Sequence, residues 1–84
     1  MEIKVYSIAS CIASNDFITW CEEHSLNYIA TKVYDSQFPQ IAYSITHEQL
    51  EEKYSRRFYQ YPVIFINGAL VPSISKAKEI IFES

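Results

Sequence analysis

Long apolar runs are missing from this 84-residue chain, whereas a helix that crosses a bilayer needs roughly 20 consecutive apolar residues. Stretches such as Val63 to Ile66 are far shorter. No membrane span is expected. The N-terminal Met1-Glu2-Ile3-Lys4-Val5 reads as the start of a strand and lacks the apolar core of a signal peptide, so the cytoplasm is the expected location.

Basic residues are also scarce. Lys and Arg number 7 against 10 Asp and Glu, and only Arg56 and Arg57 are adjacent. Without a basic stripe or patch, nucleic acid is not expected as a partner. There are only two cysteines, Cys11 and Cys21. If both lie on one helix, ten residues of rise hold them roughly 15 Å apart, beyond the reach of a disulfide. Neither His24 nor His47 has metal-ligand spacing with either cysteine, so no metal site is expected.

Glycine occurs once, at Gly68. It follows Asn67, and Asn-Gly is the pair that most readily takes the positive φ angles of a tight type I′ turn. Val63 to Ile66 before it and Ala69 to Val71 after it therefore read as a hairpin.

With 49% apolar, 15% aromatic and 20% charged residues, the chain is too hydrophobic for intrinsic disorder. Its length suits one domain, residues 1–84, with a modest core.

The remaining elements follow from periodicity. Ile3 to Ile8 and Tyr28 to Tyr34 are rich in β-branched and aromatic residues and read as strands. Between them, Phe17, Ile18 and Cys21 recur at helical spacing, which predicts an amphipathic helix from about Ile12 to His24. Ser10 or Ser14 would cap its start and Asn27 would break it. Cys21 falls on the apolar stripe and is expected in the core.

Asp35 to Ile45 contains Pro39, shows no period and is long for a connection. Thr46 with Gln49 matches a capping box, which opens a second helix running to about Arg57. After the hairpin Pro72 ends the strand, and Ser73 or Ser75 caps a last helix with Ala77, Ile80 and Ile81 facing inward. The unbroken apolar run before the turn predicts a strand buried on both sides. The expected fold is α/β, in the order βαβαββα, with helices on both faces of a four-stranded mixed sheet.

That order, with Lys4-Val5-Tyr6-Ser7 leading to Cys11-Ile12-Ala13-Ser14, and Tyr61-Pro62-Val63-Ile64-Phe65-Ile66-Asn67-Gly68 further on, resembles the glutaredoxins, particularly the small bacterial and phage ones. The resemblance implies a thioredoxin-like fold and a cis bond before Pro62. It also implies a catalytic Cys11, with Ser14 where dithiol members carry the resolving cysteine. The Ser14 hydroxyl is then expected to donate to the Cys11 thiolate. A helix N terminus favours such a thiolate through its partial positive charge and unpaired N–H groups.

The implied co-substrate is glutathione, and the implied partners are proteins carrying disulfides, met by a monomer. Tyr61 would offer its backbone to the substrate, next to Pro62. Tyr6 would lie near the mouth of the site. Ser73 and Ser75, at the last helix, would meet one glutathione carboxylate, and Arg56 and Arg57 the other. Each has a plain structural alternative: helix caps for the serines, a solvated helix end for the arginines, core packing for Tyr6.

The chain also departs from the family. Val71-Pro72-Ser73 replaces a Gly-Gly pair, and Ile8-Ala9-Ser10 replaces a lysine upstream of the nucleophile. Two other functions stay open: a non-catalytic thioredoxin-fold binding module, and a glutathione-dependent iron–sulfur carrier, although the Cys-Gly-Phe-Ser typical of such carriers is absent.

Overall fold

The structure is a computed structural model and describes residues 1–83. Four strands form, β1 (Ile3–Ser7), β2 (Ile29–Lys32), β3 (Val63–Ile66) and β4 (Ala69–Val71). Three helices form, α1 (Ile12–Glu23), α2 (His47–Tyr54) and α3 (Ile74–Glu83), in the order βαβαββα. The sheet order is β2-β1-β3-β4. β1 and β2 run parallel, and α1 supplies the crossover that a parallel pair requires. β1 with β3, and β3 with β4, are antiparallel.

Alternation along the strands sends side chains to opposite faces. Ile3, Val5, Ile64 and Ile66 pack under Phe17 and Cys21 of α1 and Ala77 and Ile81 of α3. Tyr6, Val63 and Phe65 face the other way, onto Leu50 of α2, Val33 and Phe58. All four β3 residues are buried, as their unbroken apolar run predicts. α1 and α3 thus cover one face of the sheet and α2 the other.

The Asn67-Gly68 turn has φ of 52° and 82°. Asn67 also ties the turn to the start of β1: its Oδ1 accepts from the Glu2 N–H, and its own N–H donates to the Glu2 carbonyl, each at 2.8 Å. The Thr46 capping box is present, with the Gln49 N–H on Thr46 Oγ1 at 3.1 Å and the Thr46 N–H on Gln49 Oε1 at 2.9 Å.

Helix ends differ from the sequence expectation. α1 ends at Glu23, one residue short of the expected His24, and the break comes at Ser25, in the left-handed conformation at φ 53°, rather than at Asn27. The Leu26 N–H then reaches back to the Cys21 carbonyl and that of Ser25 to Glu22, satisfying carbonyls the helix leaves open. α2 ends the same way at Ser55, so Arg56 and Arg57 follow the helix instead of closing it. A capping propensity is local, but which residue turns left-handed depends on where the chain must leave the sheet.

β2 is shorter than Tyr28 to Tyr34. Beyond it Val33 forms a parallel bridge with Ile45, and the Tyr34 N–H donates to the Ile45 carbonyl at 2.9 Å. The intervening loop is internally tied, since the Tyr43 hydroxyl donates to the carbonyls of Asp35 and Phe38. No described helix is long and apolar enough to cross a membrane.

Candidate functional site

Cys11 lies at the junction of β1 and α1. It takes the N-cap position itself, in extended backbone conformation and without a side-chain cap bond, which displaces Ser10 and Ser14 from that role. Its N–H closes a turn onto the Ile8 carbonyl at 3.0 Å. The half-buried Sγ is therefore beside the first turn of α1, where N–H groups lack helical partners and the helix dipole is positive. The thiol donates to the Tyr61 carbonyl at 3.5 Å, across 50 residues of sequence. The Tyr61–Pro62 peptide bond is cis.

Ser14 does not meet Cys11. It is fully buried on the inner stripe of α1 with Phe17 and Cys21, and its Oγ has no hydrogen-bond partner among the described residues. Position 14 shares the inward stripe of α1 with Phe17 and Cys21, three and seven residues on, whereas Cys11 precedes the helix in extended conformation, outside that periodicity. Of its two expected roles, a place near the mouth of the site or core packing, Tyr6 takes the second. It is only 4% exposed, its hydroxyl lies 2.7 Å from that of Tyr54, and its ring meets Phe65 edge-on. It belongs to the core.

Tyr61 has a second set of contacts that the sequence reading did not find. Its hydroxyl lies 2.6 Å from His47 Nδ1. His47 Nε2 lies 3.1 Å from Glu51 Oε2, which also accepts the Phe58 N–H at 2.8 Å. Burial, with a lesser contribution from the Glu51 charge, pushes the Tyr61 hydroxyl up to about 12, so it keeps its proton. Glu51 is held below the usual carboxylate range, chiefly by the Phe58 N–H and further by His47. The i,i+4 spacing of His47 and Glu51 was the available signal; its link to Tyr61 needed the fold.

The loop after β2 reaches the site as well. Asp35 is buried, and its carboxylate accepts N–H bonds from Ser10 at 3.2 Å and Gln37 at 2.9 Å. The Ser10 side chain foremost, then these N–H groups, hold its carboxyl below the usual range.

Arg56, Arg57, Pro62, Val71 and Pro72 line a shared open groove of about 400 Å³. Three residues assigned to substrate from the resemblance, Arg56, Arg57 and Pro62, are thus brought together. Arg56 is partly engaged, with its guanidinium 5.7 Å from the Phe58 ring centre. Ser73 and Ser75 do not line the groove. Ser73 Oγ accepts from the Lys76 N–H at 3.1 Å and caps α3, while Ser75 is exposed in the first turn.

No family model matches the sequence, and no curated protein matches it. Among solved structures, the chain is similar to glutaredoxin 1 from Francisella tularensis, determined in complex with cacodylate. The two share 17% sequence identity at a TM-score of 0.68, and the match covers 99% of this chain and 98% of that one. The fold is that of a glutaredoxin.

In this glutaredoxin form of the thioredoxin fold, Cys11 stands at the first strand–helix junction and Tyr61-Pro62 at the head of the central antiparallel strand. Val71 and Pro72 help to form the groove wall, and Pro72 supplies ring surface there instead of an N–H donor. Cys21 is buried in the core beneath α1, and desolvation foremost, then the Glu22 charge, pushes its thiol up. Both cysteines are free thiols. Among the described residues no three His, Cys, Asp or Glu side chains gather closely enough to hold a metal ion.

Proposed function

We propose that the chain is a monothiol, glutathione-dependent thiol–disulfide oxidoreductase of the glutaredoxin type, with Cys11 as nucleophile. The observation that carries this reading is the placement of Cys11 Sγ at the N terminus of α1, 3.5 Å from the Tyr61 carbonyl. A sulfur there is accessible and faces partial positive charge. A neighbouring backbone acceptor stands ready for a substrate N–H once the thiol proton has gone.

The exchange proceeds in two steps. The Cys11 thiolate attacks the glutathione sulfur of a protein–glutathione mixed disulfide, forming a Cys11–glutathione disulfide and releasing the protein thiolate, which takes up a proton. A second glutathione thiolate then attacks the glutathione sulfur bound to Cys11, forming oxidised glutathione and restoring the Cys11 thiolate. With serine at position 14, and its side chain buried, no internal disulfide competes. Arg56 and Arg57 offer guanidinium groups to a glutathione carboxylate along the groove that Pro62 helps to line. The chain acts as a cytoplasmic monomer in this reading, with disulfide-bearing proteins as its partners.

The test is glutathione-coupled reduction of a peptide–glutathione mixed disulfide by the wild type and by Cys11→Ser. Turnover by the wild type and its loss in the variant are expected; equal rates would sink the role of Cys11. A non-catalytic binding module is the second reading, favoured by the loss of a backbone donor at Pro72. Binding of glutathione or a peptide without turnover would select it.

A further inference from the structure

Tyr61 faces Cys11 with its backbone and α2 with its side chain. Its carbonyl accepts from the Cys11 thiol at 3.5 Å, and its hydroxyl lies 2.6 Å from His47 Nδ1. The His47 and Tyr61 rings are tilted against each other, with centres 5.7 Å apart. His47 Nε2 is in turn 3.1 Å from Glu51 Oε2, which the Phe58 N–H fixes at 2.8 Å. A continuous chain of polar contacts therefore runs from the Phe58 backbone, through two side chains on one face of α2, to the residue that touches the nucleophile.

α2 does not need these contacts in order to form. The Thr46–Gln49 capping box starts it, Leu50 anchors it in the core, and left-handed Ser55 ends it. What the contacts do is orient Tyr61. Tyr61 precedes Pro62, which confines its backbone to the extended region; within that region the hydroxyl contact to His47 holds the ring, and with it the carbonyl on the same residue. In the tautomer whose Nδ1 accepts from the Tyr61 hydroxyl, the remaining ring N–H, on Nε2, faces Glu51 Oε2. Direction is thus consistent along the whole chain.

We propose that His47 and Glu51 are positioning residues that clamp the Tyr61 side chain and so aim its carbonyl beside Cys11 Sγ. Disulfides that carry a peptide N–H then react in preference to disulfides that lack one. The inference rests on the exchange reading of Cys11 and adds a determinant of which disulfides it takes.

The experiment is a single-turnover reaction of reduced protein with oxidised glutathione and, separately, with bis(2-hydroxyethyl) disulfide, which has no amide. The Cys11 adduct is followed by intact mass, and folding of each variant is checked by circular dichroism. His47→Leu is expected to react roughly three- to tenfold more slowly with oxidised glutathione, the scale of one lost neutral hydrogen bond. Its rate with bis(2-hydroxyethyl) disulfide should match the wild type.

His47→Asn, whose amide oxygen can accept in the place of Nδ1, should recover most of the lost rate. Tyr61→Phe keeps the ring and the carbonyl, and should slow the glutathione reaction as His47→Leu does. The double variant should be no slower than either single one. If His47→Leu does not fold, Tyr61→Phe against His47→Asn decides the same question. Equal slowing on both disulfides, no slowing on either, or fully additive losses would overturn the proposal while leaving the exchange reading intact. Absence of any adduct on wild-type Cys11 would overturn the exchange reading, and the positioning role with it.

Discussion

Asp35 Oδ2 accepts the backbone N–H of Ser10 at 3.2 Å, which pins the loop after β2 to the turn that presents Cys11. The contact joins residues 25 positions apart. It gives the long segment from Asp35 to Ile45 a structural task beside the nucleophile.

Acidification should loosen that pin. The Asp35 carboxyl is held below its ordinary value near 3.8. A carboxyl lowered in the folded state contributes stability that is present above the unfolded value and is lost as pH falls through the folded one. Thermal midpoints measured at decreasing pH, below 3.8, should therefore fall more steeply for the wild type than for Asp35→Asn. Parallel curves would show that Asp35 contributes nothing through its charge.

The two cysteines should separate by reactivity. Cys11 is half-buried at a helix N terminus, whereas Cys21 has no exposed surface and a thiol raised chiefly by desolvation. Brief treatment of the native protein with iodoacetamide, read by intact mass and peptide mapping, should place a single label on Cys11. Cys21 should take label only in denaturant. Comparable native labelling at both positions would contradict the packing of α1 against the sheet.

Ser14 offers a stabilising substitution. Its Oγ is fully buried without a partner among the described residues, and leaving such a hydroxyl unpaired costs about 1 kcal/mol or more. Ser14→Ala removes the unpaired group and keeps a small side chain. A gain of about 1 kcal/mol corresponds to a rise of roughly 4–8 °C in Tm for a domain of this size. A lower Tm would mean that the hydroxyl has a partner after all.

Gly68→Ala should cost about 1 kcal/mol in chemical denaturation, because a Cβ is disfavoured in the left-handed region by roughly that amount. The residue sits at φ 82°, and no atom lies within 4 Å of where the new Cβ would be. The penalty is therefore conformational and not steric. An unchanged denaturation midpoint would indicate that the hairpin turn relaxes to another type.

Legibility in the sequence followed the range of the interactions. The β3–β4 hairpin was readable because Asn67-Gly68 states its own dihedral requirement within two residues. The Thr46 capping box was readable because both partners lie within one helical turn. Cys21 was readable as core because helical periodicity places it with Phe17. Ser14 and Tyr6 needed the fold: Cys11 precedes α1 in extended conformation, outside the periodicity that sends Ser14 inward with Phe17 and Cys21, and the face of β1 that carries Tyr6 is packed against Leu50 of α2, which settles its role as core.

Order of elements, the buried central strand, the tight turn and the position of Cys11 at a strand–helix junction were all determined by the sequence alone, since each depends on local periodicity and turn chemistry. Tertiary structure alone decided that the Tyr61 carbonyl meets Cys11 Sγ, that His47 reaches the Tyr61 hydroxyl, and that Asp35 holds Ser10. These contacts span 14 to 50 residues. They exist because the sheet order β2-β1-β3-β4 sets the ends of β1 and β2 beside the start of β3. No pattern within a single element encodes that adjacency.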